Sequence, residues 1–94
     1  MIRSGKTTVA SAGTAVSLGT VYVEAPVMIK APPTNTGLIY IGNDVGGGGG
    51  DVDSGNGLVL SAGDAVVFDH INNLAEVKID ATVNGEGVAW LTLK

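Results

Sequence analysis

Apolar and polar residues alternate most regularly in residues 76–83, EVKIDATV. Every second residue from Val77 to Val83 is apolar, and the residues between them, such as Lys78 and Asp80, are polar or charged. A period of two places the two sets on opposite faces of an extended chain, which is the pattern of a half-buried β-strand. We therefore predict a strand here, with its polar residues turned away from the core.

A turn signal follows this strand directly. Asn84-Gly85 is a dipeptide favoured in two-residue type I′ turns, because both central residues of that turn need positive φ. Residues 87–94, GVAWLTLK, are again rich in apolar residues. The sequence thus predicts a β-hairpin in which residues 76–83 and 87–94 pair.

Further short segments rich in Val, Ile, Leu and Thr are separated by turn residues. The predicted strands are residues 19–25, 27–31, 38–42, 57–60 and 65–69, with 6–13 and 14–19 as additional candidates. Turn signals about every 8–12 residues are typical of a β-sandwich or small barrel. We predict an all-β fold for residues 1–94 as one domain. It would be a small β-sandwich or jelly-roll-like barrel of seven to eight short antiparallel strands.

Several predicted strands are apolar on both faces, including residues 38–41, LIYI, and residues 65–68, AVVF. A small sandwich can bury only one face of each sheet, so a second apolar face indicates burial against another subunit. We expect Leu38, Tyr40 and Val67 to be interface residues, together with the long loop 44–56.

Composition narrows the classes of partner. Charged residues make up 15% of the chain, against about 25% in an ordinary soluble domain. The net charge is −4, and the five basic residues are scattered, so a nucleic-acid partner is not expected. No apolar run approaches the roughly 20 residues of a membrane span, so a membrane partner is not expected either.

The N-terminal residues 4–8, SGKTT, contain the end of a phosphate-binding loop motif. That motif needs a helix behind it, whose N terminus holds the phosphate, and no helix is predicted here. We interpret residues 1–11 instead as a polar first strand or an N-terminal arm that adds a strand to a neighbouring subunit's sheet.

Five consecutive glycines, residues 46–50, precede Asp51 and Asp53. A D-x-D pattern opens many calcium loops. Here Gly55 stands where the third oxygen donor would be, and the closing glutamate is absent. Asp51, Asp53 and Asn56 are therefore candidates for a weakly held ion only. The favoured interpretation is an exposed connection between two strands.

Groups suited to catalysis are isolated from one another. His70 is the only histidine, and its neighbour Asp69 would point to the opposite face of an extended segment. No nucleophile motif accompanies the serines. The sequence predicts a protein that is not an enzyme and needs no cofactor.

Four stretches resemble a group of small all-β virion proteins of tailed bacteriophages. They are residues 4–18 (SGKTTVASAGTAVSL), 27–44 (VMIKAPPTNTGLIYIGND), 56–69 (NGLVLSAGDAVVFD) and 73–93 (NLAEVKIDATVNGEGVAWLTL). The third contains a G-h-x-L-x-x-G-[DE] element, where h is apolar. Such proteins look like head decoration (capsid-cementing) proteins or components of head fibres.

The resemblance implies a non-catalytic homo-oligomer, expected to be a trimer, that binds the major capsid protein. It would lie on the capsid surface of a virion assembled in the host cytoplasm. Two alternatives stay open. One is another virion component, in the tail, the neck or the base of a head fibre. The other is a calcium- or carbohydrate-binding β-module, for which only Tyr22, Tyr40 and Trp90 could line an aromatic groove.

Overall fold

Short β-strands make up nearly all the regular structure of this chain. The computed structural model describes residues 2–24, 26–43, 52, 57–69 and 71–92. The strands in these ranges are β1 (Arg3–Thr8), β2 (Val16–Ser17), β3 (Val27–Lys30), β4 (Ile39–Gly42), β5 (Leu58–Leu60), β6 (Ala65–Phe68), β7 (Lys78–Ala81) and β8 (Gly87–Thr92). One turn of 3₁₀ helix, Leu74–Glu76, precedes β7.

The strands form two four-stranded sheets, and all their pairings are antiparallel. Sheet I has the order β1-β8-β3-β6, and sheet II has the order β2-β7-β4-β5. These findings confirm the predicted all-β fold of short antiparallel strands.

The pairing pattern is that of one long hairpin rolled up. Strand β1 pairs with β8, β2 with β7, β3 with β6, and β4 with β5. A hairpin of strands 1–4 against 5–8 that folds over on itself gives the strand order of a jelly roll. In sequence, the connection between β4 and β5 is the tip of this hairpin, and it includes the glycine run.

The core lies between the two sheets and is almost wholly aliphatic. Ile29 of sheet I and Ile39 and Ile79 of sheet II are fully buried. Burying one such side chain stabilises the fold by about 1.5–3 kcal/mol. Inward strand residues and two residues outside the strands, Val9 and Leu74, supply the remaining core. The strand residues include Val27, Ile41, Leu60, Ala81, Val88 and Trp90.

The predicted hairpin of residues 76–83 and 87–94 is wrong. Strand β7 lies in sheet II and β8 lies in sheet I, so the two do not pair. The chain does turn here, with Gly85 at φ 83° and no positive φ at Asn84. A type I′ turn needs positive φ at both central residues, so this turn passes the chain from one sheet to the other.

The alternation in β7 is confirmed, but Asp80 is not solvent-exposed on its outer face. Only 4% of Asp80 is exposed, and the connection between β1 and β2 contacts it through Gly13. Its Oδ1 accepts hydrogen bonds from the backbone N–H groups of Gly13 at 2.9 Å and Ala81 at 2.8 Å. The carboxylate therefore anchors the connection between β1 and β2.

The segment SGKTT is the greater part of β1, and its glycine has a packing role. Gly5 pairs with Trp90, and a Cβ at Gly5 would lie 2.7 Å from Trp90 Cζ2. Such a contact is too short for carbon atoms. Glycine is thus required here because the indole occupies the space above the strand.

The N-terminal segment is part of the sandwich in this structure. All six residues of β1 pair with β8, and the backbone of Val9 bonds to that of Gly85 and Glu86. Because β1 is an edge strand of sheet I, its other edge pairs with no strand among the described residues. An arm formed by residues 1–11 in an assembled state stays a prediction.

Candidate functional site

The three predicted interface residues lie on opposite sides of the sandwich. Leu38, just before β4, and Tyr40, within it, belong to sheet II, whereas Val67 lies on β6 of sheet I. Val67 is 51% exposed, Leu38 is also exposed, and Tyr40 is half-buried. They cannot form one continuous patch, so each outer face must be considered separately.

An apolar row crosses the outer face of sheet I. Met28 on β3 is directly opposite Leu91 on β8 and Val67 on β6. Leu91 is 43% exposed and Met28 is 46% exposed. Residues opposite each other on neighbouring strands have Cβ atoms about 5 Å apart, so these side chains form a continuous stripe. Ser4 continues the row onto β1.

A second row of outward residues, next to the first, contains two lysines with a small residue between them. Lys6, Ala89 and Lys30 are in register across β1, β8 and β3. Because Ala89 is small, the surface between the lysines and the apolar row is concave. The resulting depression has a volume of about 290 Å³ and is lined by Ser4, Met28, Lys30, Ala89, Trp90 and Leu91.

The outward residues of sheet I will be called the sheet I face. They are Ser4, Lys6, Thr8, Met28, Lys30, Ala65, Val67, Ala89 and Leu91. These strand residues carry two lysines and no carboxylate, although the whole chain has a net charge of −4. The strand residues of this face are thus positively charged on an acidic protein. Carboxylates border the face: Asp64 and Asp69 lie just beyond the two ends of β6, and Glu86 lines one depression together with Lys6 and Thr8.

The outer face of sheet II is smaller and carries both signs of charge. Lys78 and Asp80 are its outward residues on β7, and the Gly13 N–H donates to the Asp80 carboxylate. Next to Asp80 in register lies Tyr40, which is opposite Val59 on β5. Val59 is 47% exposed. The exposed apolar group on this side is therefore a small cluster of Leu38, Tyr40 and Val59 beside a carboxylate.

A groove of about 430 Å³ opens at the end of the sandwich where β4 and β6 end. In sequence, residues 44–56 follow β4 and precede β5. Its lining is Gly42, Asn43, Phe68, Ile71, Asn72, Glu76 and Val77. The Asn43 side-chain amide donates to the Glu76 carbonyl at 2.5 Å. The three aromatic residues proposed for a sugar site do not meet here, since Trp90 is in the core and Tyr40 is on sheet II.

At the opposite end, Glu86 joins two connections. Its carboxylate accepts hydrogen bonds from the Thr36 N–H at 2.7 Å, the Thr36 hydroxyl at 2.9 Å and the Gly37 N–H at 2.9 Å. The hydrogen bonds from the backbone of Thr36 and Gly37 lower the pKa of Glu86 below its ordinary 4.5. This carboxylate is engaged in holding the β3–β4 connection against the β7–β8 connection.

The predicted metal and histidine candidates are not placed by the structure. Asp51, Asp53, Asn56 and His70 lie outside the described residues, so the weak calcium site stays a prediction. Among the residues that are described, no three His, Asp or Glu side chains cluster to hold a metal ion. In the same ranges, no helix has the length and hydropathy of a membrane span.

No protein-family model, curated protein or solved structure matches this chain. What the chain does must therefore follow from its own residues. Sequence reasoning missed Met28, Leu91 and the two lysines of the sheet I face. Met28 and Lys30 are two residues apart on one strand, and the register places Leu91 in a row with Met28 and Lys6 in a row with Lys30.

Proposed function

We propose that this chain is a structural protein of a tailed-bacteriophage virion that decorates the capsid exterior and stabilises the head by bridging capsid subunits. The observation that carries the proposal is the exposed apolar row on the sheet I face. A row of three large apolar side chains across adjacent strands is a surface suited to contact with another protein. The resemblance of four sequence stretches to virion proteins of tailed bacteriophages supports a virion as the place where this contact is made.

The size of the face indicates how it would be used. Four strands spaced about 4.8 Å apart, with up to six residues rising about 3.3 Å each, cover roughly 400 Å². A standard stable interface buries about 800 Å² per partner. One face alone would thus bind weakly, whereas several copies held together by symmetry would gain avidity. A trimer that cements the capsid would supply three such faces at once.

The proposal gives the chain no catalytic role. Its best-positioned carboxylates are already engaged: Asp80 accepts from Gly13 and Ala81, and Glu86 accepts from Thr36 and Gly37. A carboxylate held by backbone amides is a structural group rather than a free acid or base. Binding energy from buried surface, about 25 cal/mol per Å² before the costs of association, is all that cementing requires.

The strand order is compatible with the proposal without deciding it. Jelly rolls form viral capsid domains, and they also form lectin domains. A fold shared by unrelated functions supports neither one by itself. The outer surface of the sandwich and binding experiments therefore decide between capsid decoration and the other functions of this fold.

Binding to undecorated heads tests the proposal. Heads would be prepared from the encoding phage with this gene deleted, then mixed with the purified chain and sedimented. Saturable binding in a fixed ratio to the major capsid protein, with a higher disruption temperature of the heads, is expected. Absence of binding to heads at any concentration up to 100 µM, roughly a −5.5 kcal/mol limit, would contradict it.

A carbohydrate- or calcium-binding module is the second candidate, and the groove favours it. That groove is lined by Asn43, Asn72 and Glu76, side chains able to bind sugar hydroxyls or a cation. Melting temperatures measured with calcium and with a panel of monosaccharides separate the two candidates, because a ligand that binds only the folded state raises the melting temperature. A clear rise would favour the module.

A further inference from the structure

We infer that the sheet I face, rather than the sheet II face, is the docking surface, and that its partner is an acidic protein surface presenting an apolar side chain beside a carboxylate. This inference rests on the proposed function and identifies which side of the sandwich meets the shell. Three features of the described residues support it: openness, charge and shape.

Openness distinguishes the two faces. On sheet I, the row of Leu91, Met28 and Val67 spans three neighbouring strands, and all three side chains are exposed. On sheet II, the Gly13 N–H donates to Asp80 Oδ1, so the connection between β1 and β2 contacts β7 there. A flat partner can therefore approach the whole apolar row of sheet I, whereas on sheet II it would meet this connection at Asp80.

Charge complementarity indicates the partner's chemistry. Both outward charges on the strands of sheet I are lysines, Lys6 and Lys30, and they flank Ala89 in a single row. A partner with carboxylates opposite this row gains attraction, and a basic partner is repelled. If a second copy of this chain presented the same face, the lysines of the two copies would repel each other. An acidic partner therefore fits the sheet I face better than a second copy does.

The depression over Ala89 supplies a socket. Its volume of about 290 Å³ and its wall of Met28, Leu91 and the stem of Lys30 suit one large apolar side chain. Apolar groups that enter well-packed pockets near the centre of an interface contribute most of its binding energy. A carboxylate next to that group on the partner would lie within reach of Lys30.

Two valines in similar surroundings, one on each outer face, test which face is the docking surface. Val67 on sheet I and Val59 on sheet II are both on edge strands, both opposite a large side chain, and exposed to a similar degree, 51% and 47%. Val67→Asp and Val59→Asp each add one negative charge. With undecorated heads as the probe, we expect Val67→Asp to weaken binding at least tenfold, about 1.4 kcal/mol, and Val59→Asp to leave it within twofold.

The charge assignment has its own test. The double variant Lys6→Glu/Lys30→Glu should weaken head binding more than tenfold, about 1.4 kcal/mol, and should bind better in higher salt, because repulsion from an acidic surface is screened. Both lysines are exposed, so this variant also serves if Val67→Asp does not fold. Unchanged affinity in the double variant would overturn the acidic partner.

The outcomes separate the inference from the proposed function. If wild-type protein binds heads and Val59→Asp abolishes binding while Val67→Asp does not, the proposed function stands and the inference is overturned. If wild-type protein does not bind heads, both are overturned. If light scattering shows that Val67→Asp dissociates an oligomer of the free protein, the sheet I face is a contact between copies and the inference is likewise overturned.

Discussion

Replacing Gly5 with alanine should destabilise the fold because of one contact across the β1–β8 pair. A Cβ at this position would lie 2.7 Å from Trp90 Cζ2, 2.9 Å from Cε2 and 3.0 Å from Nε1. Carbon atoms in contact normally lie about 3.5–4.0 Å apart. The indole or the strand must therefore shift by close to 1 Å in a packed interior.

Overpacking of this kind costs about 1–3 kcal/mol. For a domain of 60–100 residues, each 1 kcal/mol lowers the melting temperature by about 4–8 °C. We expect Gly5→Ala to melt about 8–16 °C lower than wild type, which corresponds to about 2 kcal/mol. The chain contains one tryptophan, so the fluorescence of Trp90 follows both the unfolding and any displacement of the ring.

Ser4→Ala is the matched control, since Ser4 is exposed on the same strand and points outward. Its stability should stay within about 0.5 kcal/mol of wild type. Trp90→Phe in the Gly5→Ala background should recover part of the loss, because the smaller ring leaves room for the methyl group. A Gly5→Ala protein as stable as wild type would refute the packing role assigned to this glycine.

Three further predictions concern the ends of the sandwich and Asp80 on sheet II. Because its pKa is lowered in the folded state, Glu86 stabilises the fold above its unfolded pKa. This contribution is lost as the pH falls through the lower folded pKa of Glu86. Melting temperatures taken from pH 6 to about pH 3 should therefore decline less in Glu86→Gln than in wild type. Equal declines in the two proteins would contradict the role of the Glu86 hydrogen bonds. Gly87→Ala should be more harmful than Gly5→Ala, because the new Cβ would lie 1.9 Å from the Thr7 carbonyl oxygen. We expect circular dichroism to show that this variant does not fold. A folded variant with a near-normal melting temperature would disprove this. Asp80→Ala should cost about 1–3 kcal/mol in urea unfolding, because it leaves the Gly13 N–H without its partner; an unchanged midpoint would count against the anchoring of residues 9–15.

Local patterns located most of the strands but not their partners. The predicted strand of residues 19–25 is wrong, because residues 19–24 form only an isolated bridge between Tyr22 and Asn73. The alternation in VMIK and EVKIDATV correctly separates inward from outward residues in β3 and β7. Asn84-Gly85 signals a change of direction, but a turn does not specify whether the next strand pairs with the last one or crosses to the other sheet. Pairing in a rolled hairpin joins residues far apart in sequence, as in β1 with β8.

The candidate surface was only partly predictable for the same reason. Two-faced apolar strands indicated that something covers an outer face, and Val67 is on the face that is proposed to dock. Its neighbours Met28 and Leu91 come from two other strands, so the row exists only once the register is known. Leu38 and Tyr40 were grouped with Val67 because sequence carries no information about which sheet a strand joins.

A cryo-electron microscopy reconstruction of the decorated head would show which face of the sandwich meets the shell. We expect Met28, Val67 and Leu91 to face the shell, with a capsid side chain in the depression over Ala89 and carboxylates opposite Lys6 and Lys30. A reconstruction in which sheet II faces the shell, or in which the apolar row of sheet I is turned toward solvent, would contradict this expectation.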